Sequence, residues 1–163
     1  MGPYIDVTTS GDDFGGQSGP MLSPDMFASL IAPYFSDRIQ RTKERAGCYY
    51  WHHTCGSVVR LLDQIIECGV DILNPIQTSA AEMEPALLKE RFGDRIVFWG
   101  GMDIQHVLRE TSPADIPEYV NLLIDTLGRD GGYIMAPAHE IQDDVPPENI
   151  AAWINAVTER CGG

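Results

Sequence analysis

Apolar residues along the chain follow two alternating rhythms. Short runs rich in β-branched and aromatic residues are separated by longer stretches with apolar positions three and four residues apart, the periods of strands and helices. Tyr4 to Thr9 is the first short run, and it leads into the turn-forming Ser10-Gly11-Asp12-Asp13. Ser23-Pro24-Asp25 then supplies an N-cap, a first-turn proline and a first-turn acid. They open a helix predicted to reach about Ala46, with Met26, Phe27, Leu30, Ile31, Tyr34 and Phe35 as its apolar residues. Gly47 stops it, and Cys48 to His52 reads as an aromatic strand. Ser57 is the expected cap of the next helix, whose stripe is Val58, Leu61, Leu62, Ile65 and Ile66 and whose end is Gly69. Val70 to Leu73 reads as a strand, Glu82 to Phe92 as a helix closed by Gly93, and Ile96 to Trp99 as a strand. After a short helical turn, Ser112-Pro113 opens a helix to about Leu127. Tyr133 to Met135 is the fifth strand, and Pro146-Pro147-Glu148 opens a last helix to about Arg160.

Five strands, each followed by a helix, imply parallel pairing with right-handed crossovers. No linker or low-complexity stretch divides the chain, so residues 1–163 are expected to form one domain. An open doubly wound sheet and a slice of an eight-stranded barrel both fit this order. Length favours the open sheet, since a full barrel needs about 250 residues. The glycines between Gly11 and Gly19 lack the spacing of a dinucleotide loop and carry two aspartates among them, so this is not read as a nucleotide site.

The charge narrows the partners. Eleven Lys and Arg stand against 24 Asp and Glu in 163 residues, a net charge of −13. Phosphate backbones and anionic membranes would be repelled. No apolar run approaches the roughly 18 residues of a membrane span. No basic-then-apolar leader is seen, and Cys48, Cys55, Cys68 and Cys161 have no disulfide-framework spacing; the expected setting is cytoplasmic, with reduced cysteines.

In either parallel architecture, ligands bind at the C-terminal strand ends. There the polar residues crowd. His53 and Cys55 are two apart, so in extended chain they face the same side, the beginning of a zinc site. A catalytic zinc takes three protein ligands, and His139, on another strand end, is the candidate third. The competing reading makes His53 a hydrogen-bonded rim residue and Cys55 a small buried one. Asp12 and Asp13 have no basic residue close in sequence and are candidate substrate contacts or a base; capping a turn is the alternative. Asp103, after Gly100-Gly101, is a candidate catalytic carboxylate on the rim. Gln17, Asn74, Gln77 and Gln105 are candidates for orienting a substrate, or loop residues satisfying their own backbone. His52 and His106 are read as structural, Tyr49, Tyr50 and Trp51 as wall and core, and Cys48, Cys68 and Cys161 as packing. All 11 cations lie in helices or just before strands, so the strand-end face is expected to suit a neutral or cationic small molecule, or a metal.

These segments resemble the uroporphyrinogen decarboxylase superfamily. The matching stretches are Asp12-Asp13-Phe14-Gly15-Gly16-Gln17 with Leu22-Ser23-Pro24, then His53-Thr54-Cys55-Gly56, Phe98-Trp99-Gly100-Gly101-Met102-Asp103, and Pro137-Ala138-His139 with Pro146-Pro147-Glu148-Asn149-Ile150. The resemblance implies a TIM (β/α)₈ barrel, of which this chain would be the C-terminal part, about five βα units. One branch of the superfamily decarboxylates the acetate groups of uroporphyrinogen in haem biosynthesis, without a cofactor. The other holds zinc-dependent methyltransferases that carry a methyl group from a methyl-corrinoid protein to a thiol such as coenzyme M. The His-x-Cys-Gly segment resembles that second branch, whose zinc ligands are the His, the Cys and a later Cys on the last strand end; here His139 stands at the later position. A histidine there resembles the decarboxylase branch, where it contacts substrate. The reading favoured by the resemblance is zinc-dependent methyl transfer between a methyl-corrinoid and a thiol. Uroporphyrinogen decarboxylation and a non-catalytic, assembly-dependent half-barrel are the alternatives. Five strands of a barrel leave two unpaired edges, so an N-terminal half-barrel or a second copy is the expected partner.

Overall fold

The structure, a computed structural model, describes residues 4–162; the expected domain of residues 1–163 runs outside them at both ends. One parallel sheet organises the chain, with strands β1 (Val7–Gly11), β4 (Tyr49–His53), β5 (Ile72–Ile76), β6 (Val97–Met102) and β7 (Tyr133–Pro137) in that spatial order. Successive strands of this sheet are neighbours and no switch point occurs, unlike the doubly wound order that length favoured. The helices between strands are α2 (Ala32–Ala46), α3 (Leu62–Glu67), α4 (Pro85–Phe92) and α6 (Ile116–Leu127), and α7 (Pro147–Cys161) follows β7. Short α1 (Pro24–Met26) and α5 (Val107–Glu110) complete the set. Among the described residues no helix is long and apolar enough to cross a membrane.

Several boundaries differ from the expected ones for local reasons. The first strand starts at Val7 and runs on through Gly11, because Ser10 and Gly11 pair with His52 and His53 of β4. The expected helix from Pro24 to Ala46 has a wide π turn at Phe27–Ile31, where the Ala32 N–H reaches back to the Phe27 carbonyl. Pro33 has no N–H to continue an α ladder there, and a π bulge absorbs the break. Ser57 does not cap a helix: its backbone N–H bonds the Gly16 carbonyl, and the chain enters α3 through a tight turn at Val59–Leu61. Glu82 lies before its expected helix with φ 61°, and α4 begins at Pro85. A two-residue ribbon, β2 (Gly15–Gly16) with β3 (Gly19–Pro20), was not expected.

That ribbon sits against the end of β4 through a backbone contact only glycine allows. A Cβ at Gly15 would lie 2.6 Å from the Cys55 carbonyl oxygen, and one at Gly56 (φ 77°) would lie 2.7 Å from the Gly15 backbone. Thr54, fully buried, fixes the same junction by accepting the Phe14 N–H on Oγ1 at 2.8 Å.

The two faces of the sheet are treated differently. Tyr50, Leu73 and Phe98 are buried against helix residues including Phe35, Ile39, Leu62, Ile65 and Leu123. On the other face Val7, Tyr49 and Ile134 are exposed, and Trp51 meets Trp99 with ring centroids 4.4 Å apart. A second apolar cluster joins α5, α6 and α7 through Leu108, Ile116, Val120 and Ala156.

Candidate functional site

The C-terminal strand ends carry the chemistry. His53 closes β4, and Cys55 follows after one residue of extended chain. Their side chains turn to the same side, with Cys55 Sγ 3.5 Å from His53 Nε2. The fifth strand ends at Pro137, and His139 leaves it toward the same point; the His53 and His139 rings lie 5.9 Å apart. One ligand atom from each of His53, Cys55 and His139 lies within 4.8 Å of the other two.

Neighbours orient this cluster. Asn74 Oδ1, on the adjacent strand, is 2.8 Å from His53 Nδ1. An amide oxygen accepts, so Nδ1 carries the proton and the Nε2 lone pair faces Cys55. Asp13 Oδ1 accepts the Cys55 N–H at 2.9 Å. Burial, and then the Asp13 carboxylate, push the Cys55 thiol up to about 11. His139 Nδ1 accepts the Glu140 N–H at 2.8 Å, which leaves Nε2 as the protonated nitrogen of the neutral ring.

Two hollows meet at His139. The first is a rim cleft of about 420 Å³, lined by Gln17, Cys55, Gln77, Asp103, Gln105 and His139 among others. Such a volume suits a small ligand. The second lies on the open sheet face and includes Trp51, His53, Asn74, Trp99 and His139. Thus Gln17, Gln77, Gln105 and Asp103 share one cleft wall, whereas Asn74 stands behind His53.

Gln77, Gln105 and Asp103 also have structural work. Gln77 Oε1 accepts the Gly56 N–H at 2.9 Å, and Gln105 Oε1 accepts the Ser79 hydroxyl at 3.0 Å. Asp103, 7% exposed, accepts the N–H groups of Gln105 and His106 on Oδ1 and so holds the turn that leads into α5. Gly100 and Gly101 permit the close approach that brings Asp103 there. A Cβ on Gly100 (φ 123°) would meet the Ile76 nitrogen at 2.7 Å.

Two expectations about charge need correcting. Asp12 does have a basic partner: Arg38, from the middle of α2, reaches its carboxylate at 3.4 Å and the Ser10 hydroxyl at 3.3 Å. Asp12 lines a separate hollow with Phe14, Leu30, Tyr34 and Arg38, not the rim cleft. The rim is also not free of cations, because Arg109 of α5 lines the cleft, held by Glu110 and by Asp144 at 3.5 Å. A helix residue that folds back over a strand end is not visible in local sequence.

The remaining histidines separate cleanly. His52 is fully buried, 5.1 Å from the Phe14 ring and 4.7 Å from the Phe35 ring, with Nδ1 3.0 Å from Ser10 Oγ. Burial lowers its pKa to about 4, with Arg38 adding to the effect and Asp12 opposing it. His106 is exposed and lies 3.6 Å from Glu110. Cys48 and Cys68 are buried as expected; Cys161, at the end of α7, is exposed and does not pack.

Known proteins resemble this chain in sequence and in fold. The family model for uroporphyrinogen decarboxylase matches residues 8–160. The uroporphyrinogen decarboxylase of Psychromonas ingrahamii is 32% identical over 98 residues, 60% of this chain and 26% of that protein. That of Aeromonas salmonicida is 33% identical over 98 residues, with the same coverage. A solved methyltransferase from Methanosarcina mazei superposes with a TM-score of 0.70 at 23% identity, covering 96% of this chain and 43% of its own. These matches therefore span about a quarter of the curated relatives and under half of the solved structure.

Proposed function

We propose that this chain, which belongs to the uroporphyrinogen decarboxylase family, is one partial-barrel domain of a zinc-dependent enzyme that transfers a methyl group to a thiol, with a methyl-corrinoid as donor. The observation that carries the reading is the convergence of His53, Cys55 and His139 within 4.8 Å. Two imidazoles and one sulfur are a donor set that zinc accepts, with a fourth position left for substrate. His53 presents an unprotonated Nε2 because Asn74 holds Nδ1–H. Zinc held there would lower the pKa of a substrate thiol without redox chemistry. Gln17, Gln77 and Gln105 would orient the substrate in the cleft, Asp103 would act on its polar end, and Asp13 would hold the Cys55 backbone in place. Asp12 would contribute only through the Arg38 pair. In this reading the chain forms the C-terminal part of a (β/α)₈ barrel, and an N-terminal half or a second copy covers the open face.

A decarboxylase reading is favoured by one specific contact. The Glu140 N–H donated to His139 Nδ1 makes Nε2 a donor, suited to holding a substrate carboxylate rather than a metal. Zinc titration of the purified chain separates the two. The methyltransferase reading requires one saturable site that weakens in acid as the ligands gain protons, a sharp loss in Cys55→Ser, and none in Cys161→Ser. A chain that binds no zinc saturably leaves His139 as a substrate contact.

A further inference from the structure

We infer that the rim cleft selects a small substrate bearing a positively charged amine, with Asp103 as the group that reads it. The inference rests on the methyl-transfer reading only for what the thiol end of that substrate meets. Asp103 is buried at 7% exposure in the cleft wall, and its Oδ1 is committed to two backbone N–H groups. Those bonds set its direction without neutralising it, and no described Lys or Arg forms an ion pair with it. Arg109 lines the same cleft but is already shared between Glu110 and Asp144. The cleft wall therefore holds two carboxylates, Asp103 and Asp144, against one guanidinium. Asp13, whose carboxylate accepts the Cys55 N–H, adds to the negative side.

A buried carboxylate without a counter-charge is unfavourable, and a ligand ammonium would relieve it. An anionic ligand would instead face Asp103 across a space of about 420 Å³ and would have to draw Arg109 from two carboxylates. The other polar groups there are the amides of Gln17, Gln77, Gln105 and Gln142 and the Ser79 hydroxyl, which carry no charge, with Cys55 and His139 at the end where the thiol would sit. So the charge preference of this cleft is set by Asp103.

Three thiols that differ only in the other end test this: 2-aminoethanethiol, 2-mercaptoethanol and 2-mercaptoethanesulfonate. Their affinities for the purified chain are measured by calorimetry near pH 7, with zinc and without it. The amine should bind most tightly and the sulfonate least, the two separated by about fivefold, the upper scale of one solvent-accessible ion pair. Asp103→Asn keeps an oxygen for the two backbone donors and should bring the three compounds within about twofold of one another. Should that variant lose its circular dichroism, salt replaces it: added salt must narrow the gap in the wild type. Equal or tighter binding of the sulfonate overturns the inference, as does binding of none of the three, an order unchanged in a folded Asp103→Asn, or a gap that salt leaves intact. An amine preference that persists in a chain with no saturable zinc site overturns the metal reading and supports this one. A saturable zinc site with the order reversed does the opposite.

Discussion

The two faces of the five-stranded sheet are made by alternate residues of the same strands, yet they serve opposite ends. On the helix side Tyr50, His52, Leu73 and Phe98 are buried to 2% exposure or less. On the other side Tyr49 is 65% exposed, Val7 41% and Ile134 40%. Parallel sheets ordinarily have both faces covered, because their crossovers lay helices on them. Here the described helices cover one face, and the chemistry-bearing His53 lies on the other, in register with Asn74. The difference teaches that stability and reactivity are separated by the two-residue period of the strand. A histidine pair, His52 and His53, is divided in the same way: one is packed between phenylalanines, the next faces a cysteine.

The largest test of this division is a pair of truncations. Phe98→Ala removes a fully buried ring and should cost about 3–5 kcal/mol. Tyr49→Ala, on the neighbouring face, should stay within about 0.5 kcal/mol. Urea unfolding at low protein concentration measures both. A comparable loss at Tyr49 would mean that the open face is covered in solution, and a loss that grows with protein concentration would identify a second copy as the cover.

Acid should act on the covered face next. His52 titrates near 6.5 when unfolded and at about 4 in the fold, lowered first by burial. Between these values the unfolded chain binds a proton that the folded chain refuses. Stability is therefore complete above pH 6.5 and falls as the pH drops toward 4, by up to about 3 kcal/mol. Replacing His52 with Asn should flatten that slope in denaturation midpoints taken between pH 7 and 4. An unchanged slope would assign the acid sensitivity to another group.

How much of this was legible in the chain depends on reach. The alternation of strand and helix periods gave the five strands but left two sheet orders open; the neighbour-to-neighbour order matches what the family resemblance implied, and Gly47, with φ 65°, ends its helix as expected. The two-residue offset of His53 and Cys55 survived because it depends only on extended backbone. What local sequence could not carry was contact at a distance. Arg38 reaches Asp12 from 26 residues away, Asn74 reaches His53 from 21, and Arg109 turns over the rim to Asp144, 35 residues on. The ribbon at Gly15–Gly16 likewise exists only because Gly56 lets two backbones touch. The wide turn at Phe27–Ile31, just before Pro33, is not legible in the local pattern either, since its apolar spacing is that of an ordinary helix.

The smallest expected effect bears on the open face alone, at Asn74. Its side-chain oxygen is the only described partner of His53 Nδ1, and it is 9% exposed, so water is a poor substitute. Without it the ring loses the contact that fixes its proton on Nδ1 and its lone pair toward Cys55. The ring can then turn or change tautomer, and a metal must reorder it on binding. Loss of such a supporting contact typically weakens metal binding by about 10- to 100-fold. Asn74→Ala should show that loss in a zinc titration while its urea midpoint moves little, since the chain still folds around Leu73 on the covered face. Asn74→Asp retains an acceptor at the same distance and should recover most of the affinity. If Asn74→Ala binds zinc as well as the wild type, then His53 is held by its neighbours' packing, and the division of labour between the two faces is less complete than the exposure of their side chains suggests.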